Sequence, residues 1–112
     1  MQPGDVVLAG LPQADAKIKL RPTIVLAGIK PFGDVLLCGV SSQLQNEVRG
    51  FDEVLSQDCE DFLDSGLSHS SLIRLGYLAT YPKSRVAGVL GSISQKRLLR
   101  LREKLAGFLK LP

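Results

Sequence analysis

The chain has 112 residues, a length that suits one domain spanning residues 1–112 and leaves no room for two. Apolar residues make up 45% and charged residues 22%, a composition that supports a packed core and excludes a wholly disordered chain. The formal net charge of +3 is compatible with a polyanionic partner but does not require one.

Neither a membrane span nor a cofactor site is predicted. The longest apolar runs, residues 23–29 and 35–40, are much shorter than the roughly 20 residues that cross a bilayer. The N-terminal segment MQPGDVV has neither the basic nor the apolar region of a signal peptide, so we expect a cytoplasmic protein. We expect Cys38 to be a buried small apolar residue and Cys59 to lie in a short helical turn. The cysteines match no metal-ligand spacing, so no metal or other cofactor is expected.

The first half of the chain predicts three strands. Residues 4–11 alternate between apolar and other residues and form the first. Residues 12–21 are polar, contain proline and lack helical periodicity, so they predict a loop of about ten residues. Residues 22–29 and 34–42 form the second and third strands, with a turn at KPFG between them. Because both strands are almost continuously apolar, we expect them to be central and buried on both faces.

The second half predicts shorter elements and one clear helix. We expect residues 43–50 to be polar and exposed. Short elements follow: a strand in 51–56, a helix in 57–66 ended by Gly66, a strand in 70–82 and a short strand in 84–94. Residues 94–110 predict an amphipathic helix, with Ser92 and Gln95 as a capping box and Ser94 as the competing cap. Its apolar stripe consists of Leu98, Leu101, Leu105, Phe108 and Leu109.

The opposite face of this helix is basic. We expect a solvated surface there, with a contact to nucleic acid as the alternative. Strands followed by a packing helix predict a mainly β fold with helices, a small and mostly antiparallel β-barrel with a C-terminal α-helix. The basic residues are Lys96, Arg97, Arg100, Lys104 and Lys110.

Arginines near two predicted strands are the first candidates for function. Arg21 stands where the second strand begins, after Lys17 and Lys19, and Arg74 lies in the strand of residues 70–82. The planar guanidinium group can donate two parallel hydrogen bonds to a phosphate, so two arginines facing one groove could hold a phosphodiester. The alternative for each is an ordinary surface or ion-paired arginine.

Polar residues after the third strand are the second group of candidates. Ser41 and Ser42 could bind a phosphate oxygen and Gln43 a base edge, or they could simply end the strand in a turn. His69, the single histidine, lies in a serine-rich loop, where it is either a general base or an exposed loop residue.

An ordered set of short motifs over the whole chain resembles the MazF/PemK family of type II toxin–antitoxin toxins. The set comprises GDVVLAGL, KLRPTIVLA, a strand ending in GVSSQ, and the block from Asp64 to Ser94 before a final helix. Within it, the family pattern is matched by Gly4 and Asp5, Arg21 and Pro22, Thr23 to Leu26, Ser41 and Ser42, Gly66, Leu67, Ser71, Thr80, Lys83 to Arg85, and Gly91 to Ile93.

The resemblance implies an SH3-like β-barrel that forms a homodimer, binds single-stranded RNA in a groove and is restrained by a cognate antitoxin. Family members cleave RNA without a metal, by attack of the 2′-OH on the adjacent phosphorus. Carried over by position, Arg21 and Ser41 are the expected catalytic residues. The expected substrate-binding residues are Lys19, Ser42, Gln43 and Arg74.

The sequence departs from the family at Gly76, where some members have an acidic residue, and residues 76–80 read Gly-Tyr-Leu-Ala-Thr. Two further functions therefore stay open at this point. One is a barrel that binds RNA or a partner protein without catalysis, and the other is an interaction domain with no role in nucleic-acid binding.

Overall fold

A computed structural model describes all 112 residues and contains every element that the sequence predicts. Neither of its two α-helices is long and apolar enough to cross a membrane. Single 3-10 turns lie at Leu44–Asn46 and Lys83–Arg85. The strands are β1 (Asp5–Pro12), β2 (Ile18–Ile29), β3 (Asp34–Ser41), β4 (Glu53–Leu55), β5 (Ser71–Pro82) and β6 (Gly88–Ser92), and the helices are α1 (Phe62–Ser65) and α2 (Gln95–Leu109).

All six strands belong to one antiparallel sheet with the order β4-β5-β3-β2-β1-β6. The predicted central position of β2 and β3 is confirmed. Consecutive residues of β2 enter different cores, because Ile24 and Leu26 belong to a large core cluster while Val25 belongs to a smaller one. Side chains of a strand alternate between the two faces of a sheet, so β2 is buried on both faces.

The cysteines are both free. Cys38 is fully buried in β3, and its burial raises the pKa of the thiol to about 12, as expected for an unreactive core residue. Cys59 is partly exposed beside Ser56, in the turn that leads to α1.

Helix α2 covers the face of the sheet that carries the large core cluster. Leu98, Leu101 and Leu105 are buried there, and Phe108 stacks at a tilt on Phe51 with ring centroids 4.8 Å apart. Leu109 is 68% exposed, so its assignment to the apolar stripe is wrong.

The cap of α2 is Ser94, whose hydroxyl oxygen accepts a hydrogen bond from Arg97 N at 3.1 Å. The capping box headed by Ser92 is therefore wrong, because Ser92 is still paired with Asp5 in β6. The helix is also tied to the sheet at a bulge in β2. There Arg102 Nε donates to Leu26 O, which lies at the irregularity between Val25 and Ala27.

The two edges of the sheet approach one another, which makes it a curled half-barrel. Helix α1, which follows the edge strand β4, packs directly on the other edge strand, β6. A Cβ atom on Gly91 would lie 2.1 Å from Asp64 O, and one on Gly66 would lie 2.1 Å from Leu90 O. Gly66 also ends α1 in the left-handed conformation, with φ 73°. The prediction of a mainly β, SH3-like barrel with a C-terminal helix is confirmed.

The loop predicted over residues 12–21 is wrong in extent. Strand β2 begins at Ile18, and the connection is closed by a hydrogen bond from Gln13 N to Lys17 O at 2.8 Å. Residues 18–21 read Ile-Lys-Leu-Arg, a short apolar–polar alternation that is itself a strand signal, but all four side chains are exposed and the polar residues before them favoured a loop. Arg21 consequently lies inside a paired strand, opposite Ala9, rather than at a strand entry.

The prediction of a solvated basic face on α2 is also wrong, since three of its five cations surround buried carboxylates. Glu53 accepts from Arg97 at 2.7 Å, from Arg100 at 2.9 Å and from Lys104 at 2.9 Å. Arg97, itself buried, also binds Asp61 at 2.8 Å. This cluster, called the Glu53 network below, joins β4 and the start of α1 to α2. Of these five cations, Lys96 and Lys110 are the two that are exposed and form no ion pair.

The Glu53 network makes the free energy of unfolding depend on pH in the acidic range. Burial opposes ionisation of Glu53, but hydrogen bonds from Arg100 and Lys104 more than offset it and lower its pKa to about 2. A lowered pKa contributes stability that is complete above the unfolded-state value near 4.5 and is lost as pH falls towards 2. We expect the stability advantage of the wild type over Glu53→Gln to shrink by about 2 kcal/mol between pH 6 and pH 3. Urea unfolding of both proteins at each pH measures it, and a constant difference would contradict the assignment.

Candidate functional site

The register of the sheet brings three predicted site residues to one face. Directly paired residues of an antiparallel sheet project to the same side, as do residues two apart on one strand. Arg21 lies two residues from Thr23, Thr23 pairs with Gly39, and Gly39 pairs with Arg74. Ser41 follows Gly39 by two positions. Arg21, Ser41 and Arg74 therefore share a face across β2, β3 and β5.

A cleft of about 390 Å³ opens at this place, and we call it the arginine cleft. Its 15 lining residues include five of the six predicted site residues, which the structure thus brings together. No aspartate or glutamate is among the lining residues. Every ion pair of the molecule belongs to the Glu53 network, so both arginines lack an acidic partner. The five are Arg21, Ser41, Ser42, Gln43 and Arg74.

These two cations differ in their surroundings. Arg21 is exposed on the hairpin formed by β1 and β2, whereas Arg74 is half-buried within β5. Two unpaired guanidinium groups on one concave surface attract an anion, because no carboxylate nearby neutralises them. Of the alternatives left open by the sequence, the structure excludes an ion pair for either arginine, and their role in binding stays a prediction.

Hydrogen bonds within the chain orient the polar end of β3. Ser41 Oγ accepts from Gln43 N at 3.0 Å, which leaves its O–H free to donate to a ligand. The Gln43 side chain is held between Ser42 Oγ at 3.4 Å and Gln45 Nε2 at 2.8 Å. This segment ends β3 in a turn, which is one of the two alternatives from the sequence, and its role in binding a ligand stays a prediction.

Lys19 is the predicted site residue that lies outside the lining of the cleft. It is exposed on β2, two residues before Arg21, and pairs with Leu11, which does line the cleft. Lys19 and Arg21 thus project to the same side of the hairpin. Lys19 extends the cationic surface beyond one end of the cleft.

Tyr77 is a lining residue that sequence reasoning missed. Its hydroxyl donates to Pro12 O at 2.8 Å, so the side chain of a β5 residue reaches across the sheet to β1. The ring covers Gly39, where a Cβ atom would lie 3.2 Å from Tyr77 Cγ. Nearby, Tyr81 Oη accepts from Gly10 N at 3.1 Å. The two tyrosines hold the β1–β2 hairpin against β5, and with it the position of Arg21 relative to Arg74.

A register shift explains why Tyr77 was missed. Cys38 pairs with Leu78 while the next residue, Gly39, pairs with Arg74, so three residues of β5 have no partner there. The sequence signal for such an irregularity was Gly76, a glycine inside a strand pattern. His69 is an exposed loop residue, as the sequence allowed, and it also lines the arginine cleft.

Comparison with known proteins gives a family and a fold. The family model described as "PemK-like, MazF-like toxin of type II toxin-antitoxin system" matches residues 2–109. A similar solved structure is an endoribonuclease in complex with its cognate antitoxin from mycobacterial species. It has a TM-score of 0.73 at 14% identity, with 100% of this chain and 97% of that chain covered. At that identity the likeness establishes the fold alone.

A comparison with curated proteins finds no significant match. The family match spans nearly the whole chain, and the fold, the two arginines in one cleft and the hydroxyl-rich end of β3 agree with the resemblance seen in the sequence. The chain therefore belongs to the PemK-like, MazF-like toxins of type II toxin–antitoxin systems.

Proposed function

We propose that this toxin is an endoribonuclease that cleaves single-stranded RNA without a metal. The proposal rests on two arginines, Arg21 and Arg74, that form no ion pair and lie in a cleft without a carboxylate. The backbone of RNA supplies a phosphate to such a cleft and the 2′-OH supplies a nucleophile. Membership of a toxin family and the fold of an endoribonuclease support the same activity.

In the proposed reaction the 2′-oxygen attacks the adjacent phosphorus and the bond to the 5′-oxygen breaks. The proton of the 2′-OH is lost and the departing 5′-oxygen gains one, so no water is consumed. The products are a 2′,3′-cyclic phosphate and a 5′-OH. Negative charge builds on the phosphorane oxygens, and donors fixed in advance stabilise that charge more than they stabilise the ground state.

Arg21 and Arg74 are the proposed stabilisers of this charge, because each can donate two parallel hydrogen bonds to phosphate oxygens. The free O–H of Ser41 is proposed to donate to the same phosphate. Arg21 and Ser41 are thus the proposed catalytic residues. Arg74 is the proposed substrate-binding residue at the reacting phosphate, and Lys19, Ser42 and Gln43 are the proposed contacts to the rest of the RNA strand. The side chains lining the cleft include no acidic residue and one imidazole, a poor set of ligands for a catalytic metal ion.

The test is incubation of the purified protein with single-stranded RNA in excess EDTA. We expect fragments with 2′,3′-cyclic phosphate and 5′-OH ends, and no cleavage when the 2′-OH groups are replaced by 2′-O-methyl groups. Electrophoresis and mass spectrometry of the fragments identify the ends. RNA that is bound for hours without being cut would instead favour the non-catalytic barrel.

We also propose a cognate antitoxin and a second copy of this chain as partners in the cytoplasm. Family membership supports the antitoxin, since toxins of this class are restrained by one. An acidic antitoxin segment over the arginine cleft would compete with RNA for the unpaired cations. Light scattering of the pure protein distinguishes the proposed homodimer from a 12.1 kDa monomer.

A further inference from the structure

His69 shares the arginine cleft with Arg21, Ser41 and Arg74, although it lies far from all but Arg74 in the sequence. It comes from the loop between α1 and β5 and is exposed, so a ligand in the cleft can reach its imidazole. The titratable groups that line the cleft are Arg21, His69, Arg74 and Tyr77. Among these side-chain types, only imidazole commonly gains and loses a proton near neutral pH.

The remaining candidates for proton transfer are less suitable. The hydroxyl proton of Tyr77 is donated to Pro12 O, away from any ligand. Arginine stays protonated in proteins, and a serine hydroxyl is a weak acid and base. The cleft therefore contains two groups suited to hold a phosphate, and one group suited to exchange a proton with it.

The loop that carries His69 is held in place on both sides. Ser71 Oγ donates to His69 O at 2.8 Å, and Gln57 N donates to Ser70 Oγ at 3.2 Å. At the start of the loop, Gly66 adopts φ 73° under the backbone of Leu90, where a side chain would not fit. A loop fixed at these points holds His69 at the wall of the arginine cleft.

We propose that His69 is the proton-transfer residue of RNA cleavage in this protein, which rests on the proposed endoribonuclease activity. As the bond from the 2′-oxygen to phosphorus forms and the bond to the 5′-oxygen breaks, one proton leaves the 2′-oxygen and one joins the 5′-oxygen. Neutral His69 accepts the first of these protons, or protonated His69 supplies the second. The other proton is exchanged with water, and nothing is oxidised or reduced.

The test compares wild type, His69→Ala and His69→Gln, with Lys96→Ala as the control for loss of an exposed side chain from α2. The first substrate is ordinary single-stranded RNA, and 2′-O-methyl RNA reports binding without cleavage. A third substrate carries sulfur in place of the leaving 5′-oxygen, because a thiolate departs without being protonated. The His69→Ala reactions are repeated with free imidazole, which can enter the exposed space left by the side chain.

We expect both His69 variants to cleave ordinary RNA about 10²- to 10⁴-fold more slowly, the usual contribution of a general acid or base. Their affinity for 2′-O-methyl RNA should stay within about twofold of wild type, since proton transfer is not a binding contact. If the variants cleave the sulfur substrate at the wild-type rate, His69 is the proton donor to the leaving oxygen. If only free imidazole restores the cleavage rate of His69→Ala, His69 is the base that accepts the proton of the 2′-OH.

Three results would overturn the inference. If His69→Ala cleaves RNA at the wild-type rate while Arg21→Ala is slow, His69 has no role in proton transfer. The proposed endoribonuclease activity is then unaffected. Slow cleavage that neither rescue restores, together with an equal loss of affinity, indicates a structural role. Absence of cleavage by the wild type removes both the activity and the role of His69.

Discussion

Arg21→Ala is expected to lower the rate of RNA cleavage by about 10³-fold, because removal of one preorganised donor to a developing oxyanion costs about 10²- to 10³-fold and a full charge is lost as well. Arg21 is exposed and makes no recorded side-chain hydrogen bond or ion pair, so its removal should leave the free energy of unfolding unchanged within about 0.5 kcal/mol. Single-turnover cleavage of labelled RNA and urea unfolding measure the two quantities.

Two further variants separate the charge of Arg21 from its geometry. Arg21→Lys keeps the charge but loses the planar fork, and we expect it to recover only part of the rate. Lys96→Ala removes one positive charge on α2, which covers the other face of the sheet, and it should cut at the wild-type rate. Undiminished cleavage by Arg21→Ala would remove Arg21 from the proposed mechanism, whatever the other residues do.

Arg97→Ala is expected to destabilise the fold by about 3–5 kcal/mol, the usual consequence of removing one partner of a buried ion pair. Arg97 donates to Asp61 and Glu53, and its side chain is only 8% exposed. Burial opposes ionisation of Asp61, but its hydrogen bond with Arg97 lowers its pKa, so the variant leaves a charged carboxylate buried without its cation. Urea or thermal unfolding at pH 7 measures the loss.

Two other cations of α2, Arg100 and Lys96, provide the control variants for Arg97→Ala. The side chain of Arg100 is 44% exposed, and without it Glu53 still pairs with Arg97 and Lys104. Arg100→Ala should therefore lower the free energy of unfolding much less than Arg97→Ala does. Lys96→Ala should change the free energy of unfolding by no more than about 0.5 kcal/mol. If Arg97→Ala cost no more than Arg100→Ala, the Glu53 network would not be the tie between α2 and the rest of the fold.

Apolar patterns carried most of the fold prediction. The continuous runs around Val25 and Leu37 indicated central strands, and both residues are buried in the interior. Gly66 was correctly expected to end a short helix, because the left-handed conformation there favours glycine. The prediction failed where segments are exposed or paired through charge. Residues 18–21 form an exposed part of a strand that the loop prediction included despite the alternation Ile-Lys-Leu-Arg, and Arg97 is buried although its helix looked basic and solvated.

Candidate site residues followed from local patterns and family resemblance, which are properties of short segments. Arg21 before Pro22 and the hydroxyl residues after β3 could be selected in this way, and they do line one cleft. The distance between β2 and β5 in the fold cannot be predicted from either segment by itself. The cross-strand register joins Arg21 to Arg74 through Thr23 and Gly39, and the three-residue shift in β5 turns Tyr77 over the cleft.

The amino-acid pattern was sufficient for the fold class and for the order of the strands and helices, because burial of apolar side chains and local backbone preferences act over a few residues, and together with the family resemblance it selected the two arginines. Whether those arginines were free or ion-paired depended on the folded chain. The folded chain places Glu53 of β4 and Asp61 at the start of α1 beside Arg97, Arg100 and Lys104 of α2, so every ion-paired carboxylate is bound there and none pairs with Arg21 or Arg74. Coulombic attraction operates through space rather than along the chain, so the free charge of the arginine cleft is a product of the tertiary structure.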